Sequence, residues 1–112
     1  MTSDKWVKGL ELFCSGHYFE AHEEWEEVWR AAPLEERDFY QGMVHLTVAL
    51  YQAGRGNARG ARSQMKQARR RLAAYFPARH GISLHKLAPE VEAAVEQVLA
   101  GADIASIRLP AL

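Results

Sequence analysis

The chain has 112 residues, of which 48% are apolar and 25% are charged, and this size and composition are ordinary for one globular domain. So much apolar mass excludes an intrinsically disordered chain, because burying it offsets the conformational entropy lost on folding. Fourteen basic and fourteen acidic residues cancel, so an overall basic charge does not argue for nucleic-acid binding. We therefore expect one domain spanning residues 1–112.

The sequence also predicts a cellular compartment. The single cysteine, Cys14, excludes an internal disulfide, and we expect it to be a small buried hydrophobic residue because no basic partner adjoins it. Residues 1–6 lack the apolar stretch of a secretory signal. The longest uncharged run, residues 39–54, contains glutamines, a histidine and a threonine and is too polar to span a membrane. These features predict a soluble cytoplasmic protein with no membrane partner.

Three amphipathic helices are predicted in the first half of the chain, where apolar residues recur with helical periodicity and no strand-like alternation is present. The first covers about residues 3–15, and Gly16 can end it in a left-handed conformation. The second covers about 18–30 and stops before Pro33. The third, about 35–53, is apolar on nearly all sides, which predicts a central position in a bundle or a subunit interface. The three tryptophans have helical spacing and are expected in the core: Trp6, Trp25 and Trp29.

Two further helices are predicted in the second half, separated by an irregular segment at residues 77–88. The fourth starts near Asn57, a good N-cap, and reaches about residue 75. A shorter fifth helix starts at Pro89, which suits a first helical turn, and ends near residue 100. The tail is expected to dock on the body or on a partner through Ile104, Ile107, Leu109 and Leu112. Short connections predict an all-α fold, an antiparallel bundle of four long helices plus a shorter C-terminal helix and a docked apolar tail.

Two polar residues interrupt the apolar face of the second helix. At 100° per residue, His22 and Glu26 fall inside the apolar arc, and Glu23 lies at its border. A carboxylate in the core is costly unless it is paired or hydrogen-bonded. The third helix has a polar stripe that can supply such partners: Asp38, Gln41, His45 and Gln52. If that stripe faces the second helix, the two helices enclose a polar cluster of five candidate site residues: His22, Glu23, Glu26, Gln41 and His45.

Three interpretations of this cluster are open. The first is a hydrogen-bond network that fixes helix register, because buried polar groups are normally hydrogen-bonded. The second is a small pocket for an organic ligand, in which His22 oriented by Glu26 could act as a base, although no nucleophile or phosphate-binding loop accompanies them. The third is a metal site, since His22, Glu26 and His45 suit zinc, manganese or iron in a helical bundle. No catalytic residue or cofactor is assigned among these interpretations.

Charge is distributed unevenly along the chain. Residues 20–38 hold eight acids against two bases, whereas residues 55–86 hold nine bases and no acid. One flank of the fourth helix could therefore hold an anion or follow a nucleic-acid backbone through Arg59, Arg62 and Lys66. Pairing of this helix with the acidic second helix, within the chain or across a homodimer, is favoured because the chain itself supplies the opposite charge.

A group of residues on the second helix continues as shorter matches on the third and fourth. It consists of Phe19, Glu20, Ala21, His22, Glu23, Glu26 and Trp29, then Gln41 and Gly42, then Gly56, Asn57, Gly60 and Ala61. These residues resemble the domain-of-unknown-function 309 family, whose pattern is roughly F-E-A-H-E-x-x-E-x-x-W, then Q-G, then G-N with G-A. The resemblance covers about residues 10–75. It implies a small all-helical bundle, carries no assigned reaction, and draws attention to the region of His22, Glu23 and Glu26.

Overall fold

The computed structural model describes residues 4–107 and residue 109. Within this part of the chain the fold is all-α, as predicted, and its helices are α1 (Asp4–Cys14), α2 (Tyr18–Ala31), α3 (Leu34–Gly54), α4 (Ala58–Leu72) and α5 (Leu84–Leu99). Short 3₁₀ turns follow α4 at Ala73–Tyr75 and α5 at Ile104–Ser106. Among the described residues, no helix combines the length and hydropathy that crossing a membrane requires.

The predicted boundaries of the first four helices agree with the structure to within about three residues. Gly16 and Gly56 follow α1 and α3 with φ values of +82° and +77°, in the left-handed region that glycine adopts without strain. The Asn57 side chain accepts a hydrogen bond of 3.0 Å from the backbone N–H of Gly60, so it caps α4 as its position predicts. Glycine and an N-cap thus mark these boundaries through local chemistry alone.

The helix α3 lies at the centre of the bundle, as its nearly uniform apolar character predicts. The helices α2, α4 and α5 all pack against it, and α1 packs against α2. The α3–α4 contact is close, because a Cβ atom at Gly42 would lie 2.5 Å from the Cγ atom of Leu72. The core is built from large, fully buried side chains that come from every helix, among them Phe13, Trp25, Phe39, Leu50, Leu72 and Val91.

A hairpin that the sequence did not reveal precedes α5. Strand β1 (Ala78–Arg79) pairs antiparallel with β2 (Ile82–Ser83). Both turn residues, His80 and Gly81, have positive φ values, 50° and 77°, and two such residues match the twist of a hairpin. The prediction of an irregular segment was wrong here because two-residue strands are too short to show alternation.

The fifth helix is longer than predicted. It starts at Leu84 rather than Pro89 and has 16 residues, so it is not shorter than α1, α2 or α4. Pro89 lies inside the helix, where it removes one backbone N–H donor. The first turn forms nevertheless, because it buries Leu84 and Leu87 in the core, and that burial offsets the missing hydrogen bond.

The C-terminal segment docks on the body of the protein. Ile104, Ile107 and Leu109 are partly buried against the core, and a Cβ atom at Gly54 would lie 3.4 Å from a methyl group of Ile104. Leu112, the fourth apolar residue of the predicted contact, lies outside the described residues. The docking prediction is therefore confirmed for its three described members.

Cys14 is exposed, contrary to the prediction that it is buried. The buried face of α1 is formed by Trp6, Gly9 and Phe13. Because successive residues on a helix are about 100° apart, the residue after Phe13 is rotated away from the core. The apolar character of Phe13 therefore does not predict burial of the adjacent Cys14.

Candidate functional site

The helix α2 has a buried stripe and, beside it, a half-exposed flank. Its buried residues are Tyr18, Ala21, Trp25 and Val28. The flank is formed by Phe19, His22, Glu26 and Trp29. The side chains of His22 and Glu26 retain 20% and 34% exposure, so they lie at the edge of the core and not inside it. Helical periodicity therefore predicted the correct side of α2 for His22 and Glu26, but it overestimated how far they are buried.

His22 and Glu26 form an ion pair within α2. The His22 Nε2 atom lies 3.1 Å from Glu26 Oε1, and the Nδ1 atom lies 3.2 Å from the backbone oxygen of Phe19. Arg30 approaches the second carboxylate oxygen of Glu26 at 3.5 Å. Both imidazole nitrogens therefore lie within hydrogen-bond distance of oxygen atoms on α2. In that arrangement both nitrogens are already engaged by neighbouring groups of the same helix.

The polar stripe of α3 faces α4 instead of α2. The His45 Nδ1 atom lies 2.6 Å from Gln64 Oε1, and Arg71 donates to Asp38 at 3.0 Å; both partners of the stripe belong to α4. Burial lowers the pKa of His45, and the positive charges of Arg71 and Arg70 act in the same direction, while the hydrogen bond to Gln64 acts to raise it. The imidazole of His45 is therefore neutral near pH 7 and donates through Nδ1.

The predicted site residues consequently do not converge on one point. His22 and Glu26 are paired on α2, His45 belongs to the contact between α3 and α4, Gln41 is half-buried on α3 and Glu23 is exposed. Within residues 4–107 and 109, no three histidine, cysteine or acidic side chains are grouped to hold a metal ion. The metal interpretation therefore lacks its third ligand among the described residues.

A different set of side chains forms a continuous surface ridge across α2 and α3. The ring of Phe19 lies between His22 and Tyr51, with centroid distances of 5.4 Å and 5.1 Å. The Arg55 guanidinium donates to the Tyr51 hydroxyl at 2.9 Å and sits 5.6 Å from the centre of its ring. In order, this aromatic ridge consists of Glu26, His22, Phe19, Tyr51 and Arg55. It results from the antiparallel packing of α2 on α3, which places residues 19 and 51 opposite each other.

A shallow groove of about 300 Å³ borders one end of the ridge, where Phe19, Tyr51 and Arg55 line it. Leu50 and Ile104 add aliphatic surface, and the paired His17 and Glu20 add polar surface. A second cleft of about 480 Å³ lies between the α1–α2 turn and the C-terminal segment. Helical periodicity did not predict the ridge, because periodicity describes the faces of a single helix and the ridge joins residues of two helices.

The basic helix pairs within the chain, as predicted, but not with the acidic α2. Arg62 makes two hydrogen bonds of 3.0 Å and 2.8 Å to Glu96 of α5, and Arg69 bonds Glu92 of α5 at 2.7 Å. The hydrogen bonds from Arg62 lower the pKa of Glu96. Arg62, one of the three predicted anion-binding residues, is therefore committed to a carboxylate. The other two, Arg59 and Lys66, are exposed.

A further charged cluster fastens the hairpin to the start of α3. The Glu36 carboxylate accepts hydrogen bonds from Arg79 and from His80 Nε2, the latter at 2.6 Å, and its side chain is 14% exposed. The His80 ring stacks on Tyr40, with the planes 13° apart. Glu36 and His80 are 44 residues apart in the sequence, so no local pattern predicts their contact.

We expect Glu36→Gln to lower the free energy of unfolding by about 1 kcal/mol at pH 7, the scale of a hydrogen bond to a partly exposed charged group. Burial acts to raise the pKa of Glu36, but the hydrogen bonds from Arg79 and His80 outweigh it and leave the pKa lowered. A lowered pKa in the folded state stabilises the fold above the pKa of the unfolded chain, and this contribution is lost as pH falls.

Urea titrations at pH 7 and pH 3 measure the effect of this substitution. The difference between wild type and Glu36→Gln should be smaller at pH 3 than at pH 7, because the stabilisation from a carboxyl group with a lowered pKa is lost as pH falls. Glu35→Gln changes an exposed neighbour and serves as the control. Equal losses for the two variants at pH 7 would contradict the role of Glu36.

The fold and the ridge define a small all-helical protein with a polar and aromatic surface site. The chain belongs to the family described as Domain of unknown function (DUF309), whose profile matches residues 6–64. This stretch contains every residue of the aromatic ridge, and the match confirms the family resemblance.

One relative shows the extent of the similarity. The chain is 33% identical over 104 residues to the "Uncharacterized protein YpuF" of Bacillus subtilis (strain 168). The alignment covers 90% of this chain and 60% of that protein, so the chain spans about 60% of the length of this relative. Comparison with solved structures gives no significant match.

Proposed function

We propose that the protein is a binding protein whose aromatic ridge takes a small molecule with a planar apolar body and a carboxylate or phosphate group. The observation that carries this proposal is Arg55, which lies on the ring of Tyr51 at the edge of the groove.

The charge of the ligand follows from Arg55. Its side-chain contacts among the described residues are both with Tyr51, a hydrogen bond and a stacking contact. Arg62, Arg69 and Arg71 of the neighbouring helix, by contrast, each bond a carboxylate. The guanidinium of Arg55 therefore has free donors and an uncompensated charge, and its planar fork suits a carboxylate or phosphate.

The shape of the ligand follows from Phe19 and Tyr51. The Phe19 side chain is 42% exposed, although aromatic rings are among the side chains that gain most from burial. The two rings meet at 49° and border the groove of about 300 Å³, which is at the small end of the range for ligand sites. A planar apolar group that covers Phe19 would remove this exposed surface from water.

The pair of His22 and Glu26 fits a positioning role better than an enzymatic one. A general base needs a free nitrogen lone pair within reach of the substrate proton, whereas both nitrogens of His22 face acceptors in the folded chain. The ring of His22 instead packs against Phe19 and limits its rotamers. The structural interpretation of this pair and the ligand-binding interpretation are therefore compatible on α2.

The test is an NMR titration of the protein with indole-3-acetate and, separately, with indole-3-acetamide. The two probes share a planar ring and differ in charge, so they separate the contribution of Arg55 from that of the rings. We expect backbone shifts at Phe19, Tyr51 and Arg55, with the acetate binding about tenfold more tightly, equivalent to about 1.4 kcal/mol.

Two variants control this titration. Arg55→Ala should abolish the preference for the acetate, whereas Arg59→Ala, which removes an exposed cation from the first turn of α4, should leave it unchanged. Absence of shifts at the ridge, or shifts confined to the larger cleft near Phe13 and Ile107, would overturn the proposal.

A further inference from the structure

The ion pairs of α4 divide its six cations into two groups. Arg62 and Arg69 are held by Glu96 and Glu92 of α5, and Arg71 is held by Asp38 of α3. The remaining cations are Arg59, Lys66 and Arg70, all exposed. None of these three has a carboxylate partner in the part of the chain that the structure describes; Arg70 bonds the neutral side chain of Gln67 at 2.5 Å.

The three unpaired cations form one straight stripe. At 100° per residue, positions 59, 66 and 70 fall within about 40° of arc, and they extend over about 16 Å at 1.5 Å per residue. Ser63 lies beside them and is also exposed, so its hydroxyl can donate to the same ligand. The opposite side of α4 is fixed in the core by Ala61, Met65, Ala68 and Leu72, which sets the orientation of the stripe towards solvent.

We propose that this basic stripe, Arg59, Ser63, Lys66 and Arg70, binds the phosphate backbone of double-stranded nucleic acid without reading its sequence. Cations aligned on one helix match a ligand with regularly repeated negative charge. A single strand is less suitable, because its bases bind by stacking on aromatic rings and α4 contains no aromatic residue.

The acids of α2 argue against docking of that helix, from a second copy of the chain, on the basic stripe. On α2, Glu20 is paired with His17, Glu26 with His22, and Glu27 with Lys5 and Arg30. Glu23 and Glu24 are the acids of α2 without an ion-pair partner among the described residues. These two adjacent carboxylates do not match cations spread over about 16 Å of helix.

A membrane surface is also a poorer match for the stripe. Peripheral helices combine cations with exposed apolar side chains that enter the lipid. Among the described residues, the large exposed apolar side chains are Val7, Phe19, Leu34 and Phe76, and none of them belongs to α4. The helix α2 carries many acids and packs on α3. Because these acids repel phosphate, a nucleic acid should approach the protein from the α4 side.

Fluorescence anisotropy with a labelled 20-base-pair DNA duplex of arbitrary sequence, in buffers from 20 to 200 mM KCl, tests the proposal. Three phosphate contacts predict a slope of log affinity against log salt near −2.7, which is a loss of about 500-fold over this range. Arg59→Gln/Lys66→Gln should reduce the slope to about −0.9. A second duplex of different sequence should bind equally well.

The matched control is Lys8→Gln/Lys86→Gln, which removes two exposed cations from α1 and α5 and should keep the wild-type slope. Circular dichroism of each variant confirms that the bundle is intact. Absence of binding at 20 mM KCl, or equal loss in both double variants, would overturn the proposal. So would binding to phosphatidylserine vesicles without binding to the duplex, which would assign the stripe to a membrane.

Discussion

Trp25→Ala is expected to lower the free energy of unfolding by about 3–5 kcal/mol, the range for removing a large aromatic residue from a packed core. Trp25 is completely buried and stacks between Trp6 and Phe13, with ring centroids 5.1 Å and 5.7 Å away. Its Nε1 atom also donates to the backbone oxygen of Trp6 at 3.2 Å. One substitution therefore opens a cavity and removes a buried hydrogen bond to the backbone oxygen of Trp6.

Thermal and urea unfolding followed by circular dichroism measure this loss, which is a large part of the roughly 5–15 kcal/mol that stabilises a typical domain. Trp29→Ala is the matched control, since Trp29 lies one turn further along α2 but is half-buried and carries Arg37 over its ring at 5.3 Å. We expect it to lose about 1 kcal/mol. Equal losses for the two variants would show that the aromatic core around Trp25 does not stabilise the fold more than the half-buried flank does.

The three tryptophans also show how much of the burial can be predicted from sequence patterns. Helical periodicity predicted all three tryptophans in the core, and Trp6 and Trp25 are buried there. Trp29 lies on the flank, because the apolar arc of α2 is wider than the surface that α1 and α3 cover. The amount of a helix that its neighbours bury is a property of the packing, and one helix considered alone does not contain it.

The helix boundaries that the sequence predicts correctly depend on local interactions. Gly16, Gly56 and Asn57 act through their own backbone geometry or over three residues, so they are visible in the sequence. The predicted start of α5 was wrong because the burial of Leu84 and Leu87 in the core outweighs the local preference of Pro89 for a first helical turn. Contacts at long range, such as Glu36 with His80, leave no local signal.

The contacts of the candidate site residues also differ in whether the sequence predicts them. The ion pair of His22 and Glu26 is local, at four residues, and was predictable. The direction of the polar stripe on α3 depends on how α3 is rotated between α2 and α4. That rotation is set by close packing at Gly42 on Leu72, and it turns His45 towards Gln64.

The residues that carry the family resemblance fall into two groups once the packing is known. Ala21 and Ala61 are completely buried, Gly42 permits the α3–α4 contact, and Asn57 caps α4; these four are explained by the fold. Phe19, His22 and Glu26 are not explained in this way, because each keeps substantial exposure. Those three form one end of the aromatic ridge, whose other end, Tyr51 and Arg55, borders the groove.

The second large effect is expected at Gly9, where α1 crosses the ring of Trp25. A Cβ atom at this position would lie 2.1 Å from Nε1 and 2.3 Å from Cδ1 of Trp25. The ring is fully buried and cannot move aside, so Gly9→Ala must push α1 off α2. We expect a loss of about 3 kcal/mol, at the upper end for overpacking, even though alanine gains about 1 kcal/mol in helix propensity.

The double variant Gly9→Ala/Trp25→Ala tests the cause of this loss. Removing the ring leaves space for the added methyl group, so the double variant should be more stable than the sum of the single losses predicts, by more than about 1 kcal/mol. Gly54→Ala is the control, because its Cβ would meet Ile104 at an ordinary 3.4 Å. Strictly additive losses, or a Gly9→Ala variant as stable as wild type, would contradict the close approach of α1 to Trp25.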